Sequence, residues 1–351
     1  ILTFLLFIYA ISTGYSQTIS AIKFEGLKKT KTSYLQRFIS QKVGIKYDSI
    51  ILKNDIQNLR NLNIFYELKC LTSITPTAVI ITYEVKEVIT LLPITFFGGI
   101  KGNFWFTLGL QDVNFRGRGI RFGCFYRYYD RHSFQMFIKN KYIKGSHWGY
   151  EVNLAHLSTV EPLYFNEEAS NYNYDNTIFE GLGSYEIFRN GFVRLGGAYL
   201  YEKYEKIVFE NQVISPGPNK HYTEKALFKT GFSMKRVNYN GPYLTGFIND
   251  FFIESIRSQF PEENFIKTNN EIKFYKKILG KGNFATRLRT GIATNRPGPF
   301  APFVLDSYVN IRGIGNKINR GTAELAVNIE YRHILFENKL CYIQSVGFID
   351  G

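Results

Sequence analysis

Long apolar segments are scarce in this sequence of 351 residues. Residues 1–11 form an uncharged apolar run, and no later run approaches the roughly 18 residues of a membrane-spanning helix. The sequence therefore excludes the helical inner-membrane class. The first run is typical of a signal peptide, and the small residues Gly14 and Ser16 predict cleavage before Gln17. Because a starting methionine and a charged leader are missing, we expect residues 1–17 to be a clipped signal peptide of an exported protein.

Patterns that carry enzymatic, metal or nucleotide chemistry are also missing. The three cysteines, Cys70, Cys124 and Cys341, lie far apart, so they predict small apolar side chains on strands and no paired disulfides. The five histidines have no metal-ligand spacing, and neither a nucleophile elbow nor a phosphate loop occurs. Residues 117–119 read Gly-Arg-Gly but precede a strand, which favours a tight turn. We therefore expect no enzyme, no metal and no cofactor.

Aromatic residues are abundant, and basic residues exceed acidic ones. Phe, Trp and Tyr make up 17% of the chain, charged residues make up 21%, and the net charge is +14. The lysines and arginines are spread along the chain and form no dense run, which argues against nucleic-acid binding. The composition favours aromatic girdles at membrane interfaces and contact with anionic lipid or lipopolysaccharide headgroups.

From about residue 93 onward, apolar and polar residues alternate in short segments. This period predicts strands with one apolar and one polar face. Twelve segments are clear, with a further first strand at 93–99: residues 104–110, 120–129, 134–143, 150–157, 179–188, 192–201, 226–234, 243–252, 266–275, 284–293, 323–332 and 340–349.

Long and short connections alternate between these strands. Residues 158–178, 202–225, 253–265 and 294–322 are predicted to be long connections, whereas 189–191, 235–242 and 279–282 are predicted to be short turns. A closed antiparallel barrel places every other connection on the same side of a membrane. The pattern therefore predicts a mainly β protein built on a transmembrane antiparallel β-barrel over residues 89–351.

The preceding residues, 18–88, have a different pattern. Strands are predicted at 19–25, 64–71 and 78–88, and helices at 32–41 and 49–62. The order β-α-α-β-β predicts a small α+β domain with helices on one sheet face.

The longest connection carries the sequence Ile311-Arg312-Gly313-Ile314 at its centre. On the last strand, Phe348 and Asp350 share the face that must line the lumen if a carboxylate is to avoid hydrocarbon. The loop is expected to fold inward so that Arg312 forms a bidentate contact with Asp350. Two plainer interpretations stay open: Arg312 as a solvated loop residue and Asp350 as a strand-terminal residue.

The N-terminal module resembles a POTRA (polypeptide-transport-associated) domain over its whole length. The resemblance depends on a set of residues that recur in the same order: Gly26, Asp55, Leu59, Leu62 and Phe65. It implies a periplasmic domain that meets unfolded client chains by adding an extended segment to an exposed sheet edge.

The loop and final-strand motifs are similar to those of the outer-membrane protein assembly and translocation superfamily. Arg312, Gly313, Phe348 and Asp350 match directly, and Glu330 with Arg332 matches an acidic and basic pair that faces the lumen. Ile314 departs from the family pattern, which has an aromatic residue there. The resemblance implies a barrel of 16 strands, so further strands are expected after Gly351.

This resemblance implies an outer-membrane protein assembly factor that inserts or translocates client proteins without enzymatic chemistry. The implied partners are unfolded outer-membrane or secreted clients, outer-membrane lipids, and periplasmic chaperones or assembly lipoproteins. A single POTRA domain leaves two alternatives open, which are a two-partner-secretion-type exporter and a passive porin or surface antigen. The implied location is the outer membrane of a Gram-negative bacterium, with the POTRA domain in the periplasm.

Overall fold

The computed structural model describes residues 17–100, 103–165, 168–208, 216–278, 280–305, 311–312, 319–338 and 341–351. The chain divides into two compact units between Val88 and Ile89. The predicted signal peptide lies outside the described residues except for Gln17. Within the described ranges, no helix is long and apolar enough to cross a membrane.

The first unit has the predicted β-α-α-β-β order. Its elements are β1 (Thr18–Glu25), α1 (Thr32–Leu35), α2 (Ser49–Arg60), β2 (Phe65–Ile74) and β3 (Ala78–Glu87). The sheet order is β1-β3-β2, with β1 parallel and β2 antiparallel to the central strand.

The core of this unit lies between the central strand and the helices. Val79, Ile81 and Tyr83 alternate along β3 and are fully buried, as the period of two predicts. They pack with Leu35 of α1 and Leu59 of α2 in one apolar cluster. The sheet therefore has one face covered by helices.

The first helix is shorter than the predicted range of 32–41. It ends at Leu35, and the backbone amides of Ser40 and Gln41, at the end of the predicted range, donate to the Asp55 carboxylate over 2.7 and 2.9 Å instead of continuing the helix. The second helix begins at its N-cap Asp48, whose carboxylate accepts from the amides of Ile50 and Ile51.

The second unit consists mainly of β-strands. They are β4 (Leu91–Ile100), β5 (Asn103–Phe115), β6 (Ile120–Tyr129), β7 (Arg131–Asn140), β8 (Trp148–Phe165), β9 (Glu168–Phe188), β10 (Gly191–Lys206), β11 (Lys220–Asn240), β12 (Tyr243–Ser258), β13 (Phe265–Ile278), β14 (Gly282–Ala293), β15 (Phe303–Leu305), β16 (Asn319–Gly321), β17 (Ala323–Glu337) and β18 (Tyr342–Asp350).

Thirteen of these strands form one sheet in the order β18-β17-β14-β13-β12-β11-β10-β9-β8-β7-β6-β5-β4. All neighbours in this sheet are antiparallel. The two short strands of the longest connection, β15 and β16, pair with each other outside it.

Three of the four predicted long connections are wrong in extent. Most of residues 158–178 and large parts of 202–225 and 253–265 belong to strands, because β8 to β12 extend well beyond the clearly alternating segments. The predicted short turn at 235–242 likewise shrinks to the two residues after Asn240. These extensions carry polar or aromatic residues on both faces, so the apolar period fades while the backbone pairing continues.

The two faces of the large sheet differ in chemistry. On β17, the outward side chain of Leu325 is 73% exposed, whereas its inward neighbour Ala326 is buried. The inner face carries ion pairs across neighbouring strands, such as Lys229 with Glu254 and Lys267 with Glu254. An apolar outer face and a charged inner face are the arrangement of a membrane-embedded barrel.

Candidate functional site

Arg312 lies in the connection between β14 and β17 and contacts the inner face of the two last strands. Its Nε and Nη2 donate to the two carboxylate oxygens of Asp350 on β18, each over 2.7 Å. Its Nη1 donates over 2.7 Å to Glu330 on β17, and its backbone amide also donates to Asp350, over 3.0 Å. One guanidinium therefore holds two carboxylates, and one of these contacts is bidentate.

The ring of Phe348 supports the same guanidinium from a third direction. The guanidinium carbon of Arg312 lies 3.7 Å from the ring centroid of Phe348. This is a cation–π contact, and it leaves the planar donors of Arg312 free to reach the carboxylates.

Strand register explains why these side chains converge. Asp350 lies opposite Asn328 and Phe348 lies opposite Glu330 in the β17–β18 pair. Residues two apart on a strand point to the same face, so all four share the inner face. The register thus places Glu330 and Asp350 on one face of the sheet, as the sequence predicts.

Glu330 is shared between two arginines. Arg332, two residues along the same strand, donates to Glu330 Oε2 over 2.7 Å, while Arg312 uses Oε1. The cluster thus contains two guanidinium groups and two carboxylates, and its formal charges cancel. Hydrogen bonding to Asp350 raises the pKa of Arg312, so the loop guanidinium stays charged at any physiological pH.

A second arginine of the same connection makes a separate contact that the sequence analysis missed. Arg320 on β16 is largely buried and donates to Glu161 on β8 over 2.7 Å and to the carbonyl of Ala301 over 3.2 Å. Like Arg312, it is followed by a glycine, Gly321. A second Arg-Gly pair in the same connection marks Arg320 in the sequence, but no pattern there points to Glu161 as its partner.

Aromatic packing holds the beginning of this connection. Phe300 packs against Tyr204 at a ring-centroid distance of 5.0 Å and against His221 at 4.4 Å. Tyr204 belongs to a buried cluster with Leu163 and Tyr172 on the extended strands β8 to β10. The described parts of the connection are therefore fixed at one point by Arg312 and at another by Phe300 and Arg320.

The structure brings together Arg312, Glu330, Arg332, Phe348 and Asp350 from the predicted site. Ile311 precedes them and is partly exposed. Gly313 and Ile314, which complete the predicted loop motif, lie outside the described residues. The arrangement consists of ion pairs, hydrogen bonds and one cation–π contact, so its chemistry is reversible attachment of a loop.

The remaining predicted residues belong to the first unit. Gly26 has φ +83°, and a Cβ there would come within 2.2 Å of the Val85 carbonyl oxygen, so the turn requires glycine. Asp55 and Leu59 are fully buried on α2. The last two predicted residues, Leu62 and Phe65, are partly buried and pack against the core.

Known proteins resemble the chain in two ways. Residues 17–88 match the family model "POTRA: Surface antigen variable number repeat". The comparison with curated protein sequences finds no match.

Solved structures also match, and three of the 72 matching chains, each at probability 1.00, are described below. BamA from Haemophilus ducreyi lacking POTRA domains 1-3 is 14% identical with a TM-score of 0.54, and the alignment covers 95% of this chain and 71% of that one. CdiB from Escherichia coli is 11% identical with a TM-score of 0.65, covering 96% of this chain and 65% of that one. CdiB from Acinetobacter baumannii is 12% identical with a TM-score of 0.55, covering 91% and 61%.

The chain thus spans less than two thirds of either CdiB structure. At these low sequence identities, the similarity shows a shared fold and nothing about activity. The predicted fold class is confirmed: a small α+β domain precedes a large antiparallel sheet of the barrel type. The chain is a POTRA-plus-β-barrel protein with the fold that BamA and CdiB share.

Proposed function

We propose that this protein inserts or translocates client polypeptides at the outer membrane and that it does so without enzymatic chemistry. The carrying observation is the contact of Arg312 with Asp350 and Glu330, which attaches a long connection to the inner face of the sheet. A POTRA unit in the same chain supports a role with polypeptides. A pore that only admits solutes needs no such domain.

In this proposal Arg312 is a reversible lock. The guanidinium forms only non-covalent contacts, so the loop can leave the inner face and return without covalent chemistry. Arg312 is 38% exposed at its side chain, whereas the Asp350 side chain is 3% exposed. Release of the loop would therefore deprive the Asp350 carboxylate of its main hydrogen-bond partner.

A free strand edge is the proposed place where a client strand pairs. In this proposal the first barrel strand, β4, which pairs with β5 on one side, opens its other edge to the client. An open edge presents a row of unpaired backbone donors and acceptors, which an extended client segment can use as a template. The POTRA unit would meet the client first, on the periplasmic side.

The outer face of the sheet is the proposed contact with lipid. Phe134, Phe179 and Phe228 all face outward and are more than half exposed, at 55%, 58% and 56%. Exposed rings in this number suit hydrocarbon and the membrane interface. Outer-membrane lipids or lipopolysaccharide, periplasmic chaperones and assembly lipoproteins complete the proposed set of partners.

Arg312→Ala in the full-length protein tests the proposal. The substitution is expected to destabilise the barrel by about 2 kcal/mol, below the ~3–5 kcal/mol for breaking a fully buried pair, because Arg312 is partly exposed. Client proteins should then decline in the outer membrane, as measured by quantitative proteomics of that membrane. Heat-modifiable migration on gels would report the folding of the protein itself.

Arg296→Ala is the matched control, since Arg296 lies in the same connection and its side chain is exposed. Normal folding and normal client levels in the Arg312 variant would refute the proposed lock. Loss of a single secreted client on depletion would instead favour an exporter of the two-partner-secretion type. Ion conductance with unchanged client levels would favour a passive porin.

A further inference from the structure

A cavity on the inner face of the large sheet is lined by an excess of basic side chains. Its volume is about 230 Å³, and it lies at the end of the sheet where the short turns are found. Two carboxylates line it, those of Glu151 and Asp250. Six cationic residues line it as well: Arg121, Lys139, Lys141, Arg194, Lys235 and Lys273. This cavity is separate from the Arg312 cluster.

The two carboxylates of the cavity already have partners. Glu151 forms an ion pair with Lys139 over 2.6 Å, and Asp250 accepts from the Ser233 hydroxyl over 2.5 Å. The ammonium group of Lys273 contacts Glu271 over 2.5 Å. Two of the six cations are thereby neutralised.

The other four cations have no such partner. In the part of the chain that the structure describes, no carboxylate lies within 4.0 Å of Arg121, Lys141, Arg194 or Lys235. Three of them rest against aromatic rings instead, with Lys141 at 5.6 Å from the Phe192 centroid. The rings hold the side chains in place but do not neutralise them.

Strand register brings like charges close together in this cavity. Arg121 and Lys139 lie directly opposite each other on β6 and β7. Lys139 is paired with Glu151 on its other side, so Arg121 has no carboxylate partner in this row. Burial is the main cause that lowers the pKa of Lys141, and the charges of Lys235 and Lys139 lower it further. The folded protein thus maintains unfavourable repulsion that an anion would relieve.

The inner face elsewhere is built differently. Lys229 and Lys267 share Glu254, and Arg287 donates to Glu271 over 2.6 Å. Cations in those places are matched by carboxylates on neighbouring strands. The uncompensated charge is therefore concentrated at the turn end of β6 to β13.

We propose that this cavity binds acidic side chains of an extended polypeptide, so that several carboxylates of a client segment contact Arg121, Lys141, Arg194 and Lys235. The volume of about 230 Å³ corresponds to roughly eight water molecules at ~30 Å³ each, so it admits more than one carboxylate. The cations come from β6, β10, β11 and the turn after β7, and a chain with an acidic residue at every second position can reach several of them. This inference rests on the proposed function, because it supplies the chemical class of the client segment.

The test is the binding of a fluorescent peptide with alternating Asp and Ser to the full chain in detergent micelles, measured by anisotropy. The double variant Arg194→Gln/Lys235→Gln removes two of the unpaired cations and is expected to weaken binding at least about tenfold. The matched control is Lys203→Gln/Lys220→Gln, which makes the same change in charge on the same two strands. Those lysines lie at the opposite ends of β10 and β11 and both pair with Glu205. The control should change binding by less than about twofold.

Two further measurements, at raised salt and with other ligands, complete the test. Raising the salt concentration tenfold should weaken wild-type binding, which requires no variant to fold. Equal loss in both variants, or equal binding of a peptide with Asn in place of Asp, would overturn the proposal. Inorganic phosphate binding as tightly as the peptide would overturn it too, because the ligand would then be a small oxyanion.

The outcome also separates this inference from the proposed function. Absent peptide binding with impaired client assembly on depletion would refute the acidic-segment site alone. Unchanged client levels on depletion would refute the proposed function, whatever the peptide does.

Discussion

Replacing Asp55 by alanine is expected to destabilise the POTRA unit more than any comparable change at its surface. The side chain is fully buried, and its two oxygens accept from the backbone amides of Ser40 and Gln41 over 2.7 and 2.9 Å. Alanine would leave both amides without an acceptor in the folded state. The carboxylate therefore determines the path of the chain between α1 and α2.

The expected magnitude follows from these two lost hydrogen bonds. A buried donor left unsatisfied costs about 1–3 kcal/mol; this applies in full to the amide of the buried Gln41 and in part to that of the exposed Ser40, so the two losses cost about 2–4 kcal/mol. A domain of this size has a free energy of unfolding of about 4–11 kcal/mol at ~0.05–0.15 kcal/mol per residue. The variant should therefore lose a large part of its stability at 25 °C. Asp55→Asn should be intermediate, since the amide keeps one acceptor oxygen but places a second donor opposite an N–H.

Urea unfolding of residues 17–88, followed by circular dichroism, is the suitable assay, because the apolar core of this unit draws on its own residues. Asp48→Ala is the matched control. Asp48 is also an aspartate that accepts two backbone amides, those of Ile50 and Ile51, but it does so at an exposed helix N-terminus. Its loss should cost only about 1 kcal/mol. If Asp55→Ala costs no more than Asp48→Ala, the structural role assigned to the buried carboxylate is wrong.

Two further predictions concern the same unit. Gly26→Ala should lower the free energy of unfolding in urea by about 2–4 kcal/mol, because backbone strain at φ +83° adds to overlap with the Val85 carbonyl. Gly44→Ala is the control, since Gly44 has φ +87° but open space around it and should show the strain alone. Equal costs for the two variants would contradict the overlap at Gly26. Burial raises the pKa of Glu87, but three amide donors from residues 28–30 outweigh it and hold the pKa below 4.5. Because the pKa of Glu87 is lower in the folded than in the unfolded chain, its ionised carboxylate stabilises the fold above pH 4.5, and this stabilisation is lost as the pH falls further. Glu87→Gln should therefore weaken the dependence of unfolding free energy on acidic pH. An unchanged pH profile would contradict the role of Glu87.

Much of the fold could be predicted because apolar and polar residues alternate wherever one face of a strand lies in an apolar environment. The sixth strand, Ile120–Tyr129, has the predicted bounds, and all thirteen strands of the large sheet were expected. The extended ends of β8 and β9 were not, because the period of two there is carried by Tyr172 and Tyr174, which alternate with polar residues and include no aliphatic side chain, while backbone pairing continues. The apolar period of a strand indicates which of its faces is in an apolar environment, whereas the length of the strand depends on hydrogen bonding with the neighbouring backbone.

The candidate site was predictable in part for a related reason. Asp350 could be placed on the inner face because its strand alternates and a carboxylate must avoid hydrocarbon, and Arg312 was placed by the Arg-Gly motif of the loop. The contact of Arg320 with Glu161 joins residues 159 positions apart, and no local pattern connects them. The end of α1 was missed for the same reason, since it depends on a carboxylate that lies 15 positions beyond Ser40.

The uninterrupted pairing of β8 with β9 limits how this region can diversify. Eighteen residues of β8 pair with β9 without a shift in register, from Trp148 opposite Tyr185 to Phe165 opposite Glu168. Inserting a single residue within either strand would move every side chain beyond it to the opposite face. Natural variants of this hairpin are therefore expected to differ by substitution along the strands, and to differ in length only beyond the Phe165 and Glu168 pair. A sequence survey of close relatives would show this as an absence of single-residue gaps within the two strands.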